Sequence, residues 1–121
     1  MTATLDIDDI KADTEDEVEQ QLRVALRYLE TFGWRQGDYG YDNPDDFGCR
    51  ACALGSMNAA CDLLYGSDGK SYTYRRGSTQ AALSDVVGKQ VAQWNDEDDR
   101  TLDEVTAAFT EAIANRQAAR T

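Results

Sequence analysis

The chain of 121 residues contains no histidine. That removes the side chain most often used as a general base, as an activator of Ser or Cys nucleophiles, and as a zinc ligand. Thiol-protease or acyltransferase chemistry would need an Asp or Glu in its place, so hydrolysis through a cysteine lacks its usual partner. Cysteine is scarce too. Cys49, Cys52 and Cys61 are the only three, an odd number that argues against a closed disulfide framework. Three thiols without imidazole also leave a tetrahedral zinc site one ligand short. Cys52 and Cys61 lie nine residues apart, about 900° around a continuous helix, and so on opposite sides of it. No metal site and no cofactor are expected.

Other absences narrow the class further. Proline occurs once, at Pro44, and periodic apolar segments recur, so most of the chain is expected to fold. No apolar run approaches the ~20 residues that cross a bilayer. The N-terminal stretch MTATLDIDDIKADTEDE carries acids where a secretory signal needs bases and has no apolar core. Basic residues number 12 against 23 acidic ones, a net charge of −11. The imbalance is concentrated: Met1–Gly48 holds 13 acids and 4 bases. Nucleic-acid binding relies on Lys and Arg displacing counterions, and a field of this sign opposes it. These observations predict a cytoplasmic protein with neither membrane nor direct nucleic-acid contact. Its expected partner is a protein, one with a basic surface. "GSDGKS" lacks the spacing of a phosphate-cradling loop. The acids are too numerous for a catalytic carboxylate pair to be singled out.

The segments that are present read as helices. Residues 1–13 form an acidic, mobile lead-in, although Leu5, Ile7 and Ile10 offer a short docking element. Thr14 and Glu17 have capping-box spacing. Val18, Leu22, Ala25, Leu26, Leu29 and Phe32 then recur at three- and four-residue steps, which predicts a helix over 15–32 stopped by Gly33. The Gly-, Asp- and Asn-rich stretch 33–48 is a loop, with Trp34, Tyr39, Tyr41 and Phe47 expected to fold back on the helices. It serves either as a packed surface loop or as a binding loop. Residues 51–65 are apolar around most of a helix, which places that helix in the middle of a bundle. Its small Gly55, Ala59 and Ala60 would let a neighbouring helix approach closely. Tyr72 and Tyr74 alternate after turn-forming residues and allow a short β-hairpin near residues 70–76. Together with Arg75 and Arg76 they form a basic-aromatic island suited to a partner or to internal pairing. Ser78 is read as the cap of a third helix carrying Ala82, Leu83, Val86, Val87, Val91 and Trp94, with Gly88 a weak point. Thr101 and Glu104 repeat the capping box before a fourth helix through Leu102, Val105, Ala108, Phe109, Ala112 and Ile113. The expected fold is all-α: a small compact bundle of about four helices, with residues 14–121 as one domain.

Two local motifs invite chemistry. Cys49-Arg50-Ala51-Cys52 is a Cys-x-x-Cys at a helix start, where the dipole and Arg50 would lower a thiol pKa, as a redox pair requires. No strand precedes it to suggest a thioredoxin-like unit, so small residues buried at a helix start are the simpler reading. WNDEDDRTLDEV suggests calcium. Aligned from Asp96, however, an EF-hand loop would have Thr101 at its glycine position and Ala107 at its closing glutamate. Acids before a helix are expected from the dipole alone.

Taken together, GWRQG (33–37), CALGSM (52–57) and WNDEDDRTLDEV (94–105) resemble, in order and spacing, an uncharacterised domain family of small proteins from actinobacteria and their phages. The resemblance spans roughly Val18–Ile113. It implies a compact helical domain and a phage or actinobacterial setting, and it supplies no activity. Matching positions are Trp34, Gln36, Cys52, Trp94, Asn95, Asp96, Arg100 and Thr101; Cys49 and the acidic lead-in fall outside the pattern. In one role the two tryptophans close the ends of the core while Asn95 and Asp96 bond exposed backbone. In the other, Trp34, Gln36, Trp94, Asn95, Asp96 and Arg100 form a polar-aromatic pocket where two loops meet. The expected function is a non-enzymatic binding or regulatory protein, phage-encoded and acting on a host protein. The alternative is a small-molecule-binding protein or enzyme using the Trp34–Trp94 region.

Overall fold

The acidic lead-in departs from its reading at once. In the computed structural model, which describes residues 5–66 and 70–119, Asp8–Asp13 form a short helix, α1. Ile7 and Ile10 are buried in the main core. The acids do not resist this docking because they lie on the other side. Asp9 receives Arg27 Nη1 and Nη2 at 2.7 and 2.9 Å. The docking element is thus a short helix whose Ile10, with Ile7 just before it, enters the core.

Helix α2 spans Glu17–Phe32 and buries Leu22, Ala25 and Leu29 from the expected stripe. Its cap is shifted from the Thr14–Glu17 box. Asp16 is the N-cap, accepting from the Glu19 amide at 2.9 Å, while the Thr14 hydroxyl accepts from the Asp16 amide at 3.1 Å. Asp is the stronger N-cap of the two, and a start two residues later also buries Glu19, where Arg23 Nη1 reaches its carboxylate at 3.2 Å. Gly33, with φ +107°, ends the helix, its amide donating to the Leu29 carbonyl at 3.0 Å.

The loop that follows carries one 3₁₀ turn, Pro44–Asp46, held by a reciprocal Asn43–Asp46 cap. Its aromatics do fold back, with one exception. Phe47 meets the rings of Phe32 and Tyr28 at 5.1 and 6.0 Å, and Tyr41 meets Tyr28 at 5.8 Å, all edge-on. Tyr39 stays 40% exposed.

Helix α3, Ala53–Tyr65, is buried continuously from Ala53 to Cys61. It packs against α2 and against helix α4, Lys70–Val87. Its buried polar groups are paired. Ser56 Oγ donates to the Ala53 carbonyl at 2.7 Å, and Asn58 Nδ2 donates to the Tyr41 carbonyl at 3.1 Å. Gly55 does admit a close neighbour, but that neighbour is a loop and not a helix: a Cβ there would lie 2.0 Å from the Tyr39 carbonyl oxygen.

The expected hairpin near 70–76 is replaced by the start of α4, and Ser78 lies inside that helix instead of capping it. A lone two-stranded hairpin is marginal in water, whereas extending a nucleated helix by a turn or two costs only local propensity. Arg76 of the basic-aromatic island donates to Asn58 Oδ1 at 2.7 Å. The side chains of Tyr72, Tyr74 and Arg75, like residues 67–69, lie outside the described residues. Gly88, φ +79°, ends α4, so Val91 and Trp94 fall on a separate short helix, α5, Val91–Asn95. Helix α6, Leu102–Ala119, opens with the expected box: the Thr101 amide donates to Glu104 Oε1 at 3.0 Å and the Glu104 amide to Thr101 Oγ1 at 3.2 Å. It packs on α2 and α4.

Among the described residues the fold is thus all-α, with four long helices, two short ones and no strand. Leu22, Leu29, Met57, Leu83 and Phe109 are fully buried at its centre; each contributes ~1.5–3 kcal/mol through removal from water.

Candidate functional site

The start of α3 is where the distant segments meet. Gly33–Arg35 runs parallel to Arg50–Cys52: the Ala51 amide donates to the Gly33 carbonyl and the Arg35 amide to the Ala51 carbonyl, both at 3.1 Å. This pairing sets Trp34 beside the helix N-terminus and against the end of α5.

Asn95 is the hub. It is fully buried. Its Oδ1 accepts from the Trp34 indole Nε1 at 2.7 Å and from the Ala53 amide at 3.0 Å. Its Nδ2 donates to the Arg35 carbonyl at 3.2 Å and to Asp96 Oδ1 at 2.9 Å. One side chain thereby caps a first-turn amide of α3, a group with no partner inside the helix, and clasps the loop that holds Trp34. Gln36 completes the latch, its Nε2 donating to the carbonyls of Asn95 and Glu97 at 3.0 and 2.9 Å. Asp96 Oδ1 also accepts from the Gly37 amide at 3.0 Å.

Trp94 and Arg100 form a second layer. The Arg100 guanidinium lies 4.1 Å over the Trp94 ring, a cation–π contact, while its Nε donates to the Trp94 carbonyl at 3.0 Å. Its Nη atoms reach Glu97 at 3.0 Å and Glu104 at 3.1 Å. Glu97 also meets Lys89 at 3.1 Å. The Lys89 ammonium, then Arg100, hold the Glu97 carboxyl below its ordinary value. All six residues singled out from the sequence are therefore near one another, in two groups: Trp34, Gln36, Asn95 and Asp96 in the latch, and Trp94 with Arg100 behind it.

The cysteines are not brought together as one environment. Cys49 is exposed and Cys52 is buried. Cys52 is the N-cap of α3, its sulphur accepting from the Gly55 amide at 3.3 Å. Burial pushes its thiol above the ordinary value, with Asp96 and Asp38 adding to the rise against the opposing Gly55 and Leu54 amides. For Cys52, then, desolvation outweighs the helix-start effect that would have lowered it. Cys61 lies on another side of α3, where its thiol donates to Gln21 Oε1 at 3.1 Å. Among the described residues, no three His, Cys, Asp or Glu side chains are placed to hold a metal ion.

Beside the latch is a cleft of about 250 Å³ lined by Gly37, Asp38, Tyr39, Cys52, Ala92 and Asp96. Only Asp96 of these belongs to the pocket expected from sequence. Asp38, Tyr39 and Ala92 were missed. A signal for the first two does exist: Gly37 and Gly40 frame Asp38-Tyr39, and both adopt positive φ, +99° and +72°. At Gly40 a Cβ would lie 2.0 Å from the Arg50 carbonyl oxygen. Glycine there allows the loop to turn back across the start of α3 and present Asp38 and Tyr39 outward.

The chain belongs to a family of unknown function, DUF6197, whose pattern matches residues 13–115. No curated protein and no solved structure matches it.

Proposed function

We propose that the chain is a small non-enzymatic binding or regulatory protein that acts on a protein with a basic surface. The observation that carries this reading is the engagement of the latch. Trp34, Gln36 and Asn95, the side chains a catalytic or metabolite site would draw on, are hydrogen-bonded to one another and to backbone. What the joint turns outward is acid: Asp38, Asp96, Asp98 and Asp99 are exposed. With a net charge of −11, the chain's field accelerates encounter with a basic partner and repels nucleic acid. A cytoplasmic setting, and a phage-encoded regulator directed at a host protein, are the biological form this takes.

The test is capture by the full chain from actinobacterial lysate at low and at physiological salt, then titration of the purified partner. A basic partner whose affinity falls as salt rises supports the reading. No enriched partner at either salt, or an affinity indifferent to salt, sinks it.

The cleft supports a second reading, a small-molecule site at the Trp34–Trp94 end. Its volume of about 250 Å³ lies below the roughly 300–1,000 Å³ usual for drug-sized ligands. A thermal shift from a metabolite screen, absent in an Asp96→Asn variant, would favour it over the first.

A further inference from the structure

The cleft combines features that single out a type of occupant. Tyr39 contributes an aromatic ring that is 40% exposed. Ala92 adds an apolar wall. The two carboxylates are already anchored, Asp38 through both oxygens and Asp96 through one. Asp38 Oδ1 accepts from the Gly40 amide at 2.9 Å, and its Oδ2 lies 3.1 Å from Arg35 Nη2. Asp96 Oδ1 accepts from the Gly37 amide and Asn95 Nδ2. Asp96 Oδ2 has no hydrogen-bond partner and no cation among the described residues. The latch therefore fixes the Asp96 carboxylate in place and leaves one oxygen of this cleft-lining residue without a counterpart among the described residues.

We propose that this cleft is a socket for one lysine side chain of the protein partner. The inference rests on the binding-protein reading above and names what the partner inserts. A lysine stem lies well along an aromatic and an alanine wall while its ammonium, a compact point charge, meets Asp96 Oδ2. An arginine fork suits the site less, because bidentate pairing needs both oxygens of one carboxylate and Asp96 Oδ1 already takes two N–H groups. The small volume points the same way, to one side chain and not a whole metabolite.

The experiment is a titration of the ¹⁵N-labelled full chain, followed by its amide resonances. The probes are acetyl-Gly-Lys-Gly-amide, the same peptide with acetylated lysine, the Arg peptide, and n-butylammonium. The lysine peptide should shift Gly37, Asp38 and Ala92, bind more tightly than the Arg peptide, and lose its effect on acetylation. Asp96→Asn keeps an Oδ1 acceptor for the latch and should weaken binding about tenfold, the loss of one charge-assisted hydrogen bond. Tyr39→Ser, a change at an exposed ring, should weaken it severalfold without disturbing the fold. Equal binding of the acetylated peptide, shifts that bypass the cleft, or an unchanged Asp96→Asn affinity would overturn the socket. So would n-butylammonium binding without the lysine peptide, which would mark a site for small amines. The two readings fail separately. A captured basic partner that binds Asp96→Asn and Tyr39→Ser as well as it binds the original chain removes the socket alone. Absence of any partner removes the wider reading while the peptide titration still stands.

Discussion

Replacing Asn95 with Ala distinguishes a latch from a ligand-binding residue. The substitution deletes four hydrogen bonds, but their loss is unequal. The Ala53 amide belongs to a fully buried residue and, at a helix start, has no substitute acceptor. Leaving such a donor unsatisfied costs ~1–3 kcal/mol. The Trp34 indole N–H is half-buried and partly recovers water, so its loss falls near 1 kcal/mol, the low end of the same range. Arg35 is exposed, and its carbonyl re-solvates at little cost. The expected destabilisation is about 3 kcal/mol, a large share of the ~5–15 kcal/mol that holds a domain together. At roughly 4 °C per kcal/mol for a chain of this size, Tm falls by ~12 °C.

The measurement is urea and thermal unfolding followed by circular dichroism, with the denaturant slope unchanged so that the shift reads as stability. Trp34→Phe supplies the internal control. It removes the indole donor with part of the half-buried ring, leaving Asn95 Oδ1 to the Ala53 amide, and should cost about 1–2 kcal/mol. The double variant should cost less than the sum of the singles, because both remove the Trp34–Asn95 bond. If Asn95→Ala changes stability by under ~0.5 kcal/mol, as exposed or purely functional positions do, Asn95 does not hold the loops. A rise in stability would indicate a residue kept for a ligand at the fold's expense.

Two glycine substitutions should move in opposite directions. Gly55→Ala should lose ~1–3 kcal/mol by overpacking, despite alanine's better helix propensity, because its Cβ would sit 2.0 Å from the Tyr39 carbonyl oxygen. Gly77→Ala, inside α4 with open space around the new methyl, should gain ~0.5–1 kcal/mol in the same unfolding assay. Tyr28 predicts an alkaline limit. Burial pushes its phenol above the ordinary 10.0, so the neutral form is favoured by folding. That stability is complete below the ordinary value and is lost as pH rises through the folded one; a Tyr28→Phe variant should show no such loss in unfolding curves between about pH 9 and about pH 12. A chromogenic disulfide reagent near neutral pH should titrate Cys49 quickly, and Cys52 and Cys61 only slowly or after denaturation, since Cys49 alone is exposed. Fast reaction of two thiols, or a two-hydrogen mass difference between oxidised and reduced chain, would restore the dithiol reading.

Helix existence was legible in the sequence because burial imposes a period that the chain must repeat. Leu22, Ala25 and Leu29 announce α2, and Val105, Ala108, Phe109 and Ala112 announce α6. The all-round apolarity of 51–65 placed α3 in the middle for the same reason, and Ala53 to Cys61 are buried. Boundaries were legible only where a cap had no competitor. Thr101–Glu104 did, and the box forms; Thr14–Glu17 faced Asp16 two residues on, and the better acceptor took the helix start. The alternation of Tyr72 and Tyr74 misled because a period of two over three residues carries little weight against an adjoining helix. Ile7 and Ile10 stood out as a docking element, but the acids around them argued against burial. Acids at Asp6, Asp8 and Asp9 read as solvated chain until Arg27, 18 residues beyond Asp9, pairs with the Asp9 carboxylate and donates to the Asp6 carbonyl.

The site shows a different kind of limit. Trp34, Gln36, Asn95 and Asp96 stand out because polar and aromatic residues cluster in loops, and that signal is the same whether they bind each other or a ligand. The distinction lies in where each donor finds its acceptor. Asn95 has two donors and two acceptor lone pairs to place, and the fold offers partners for each within 3.2 Å. A side chain satisfied on every side has nothing left with which to hold a substrate. Asp96 is next to it in sequence and shares the same latch, yet it keeps one oxygen without a partner among the described residues. It also lines the cleft, so the two neighbours divide the work: Asn95 sets the geometry and Asp96 presents it. That division makes a differential prediction. Asn95→Ala should lower stability and carry any loss of binding along with it, whereas Asp96→Asn should lower affinity for a lysine peptide about tenfold while Tm moves by no more than a few degrees. If both variants lose stability and binding in proportion, the cleft is a by-product of the latch and not a site of its own.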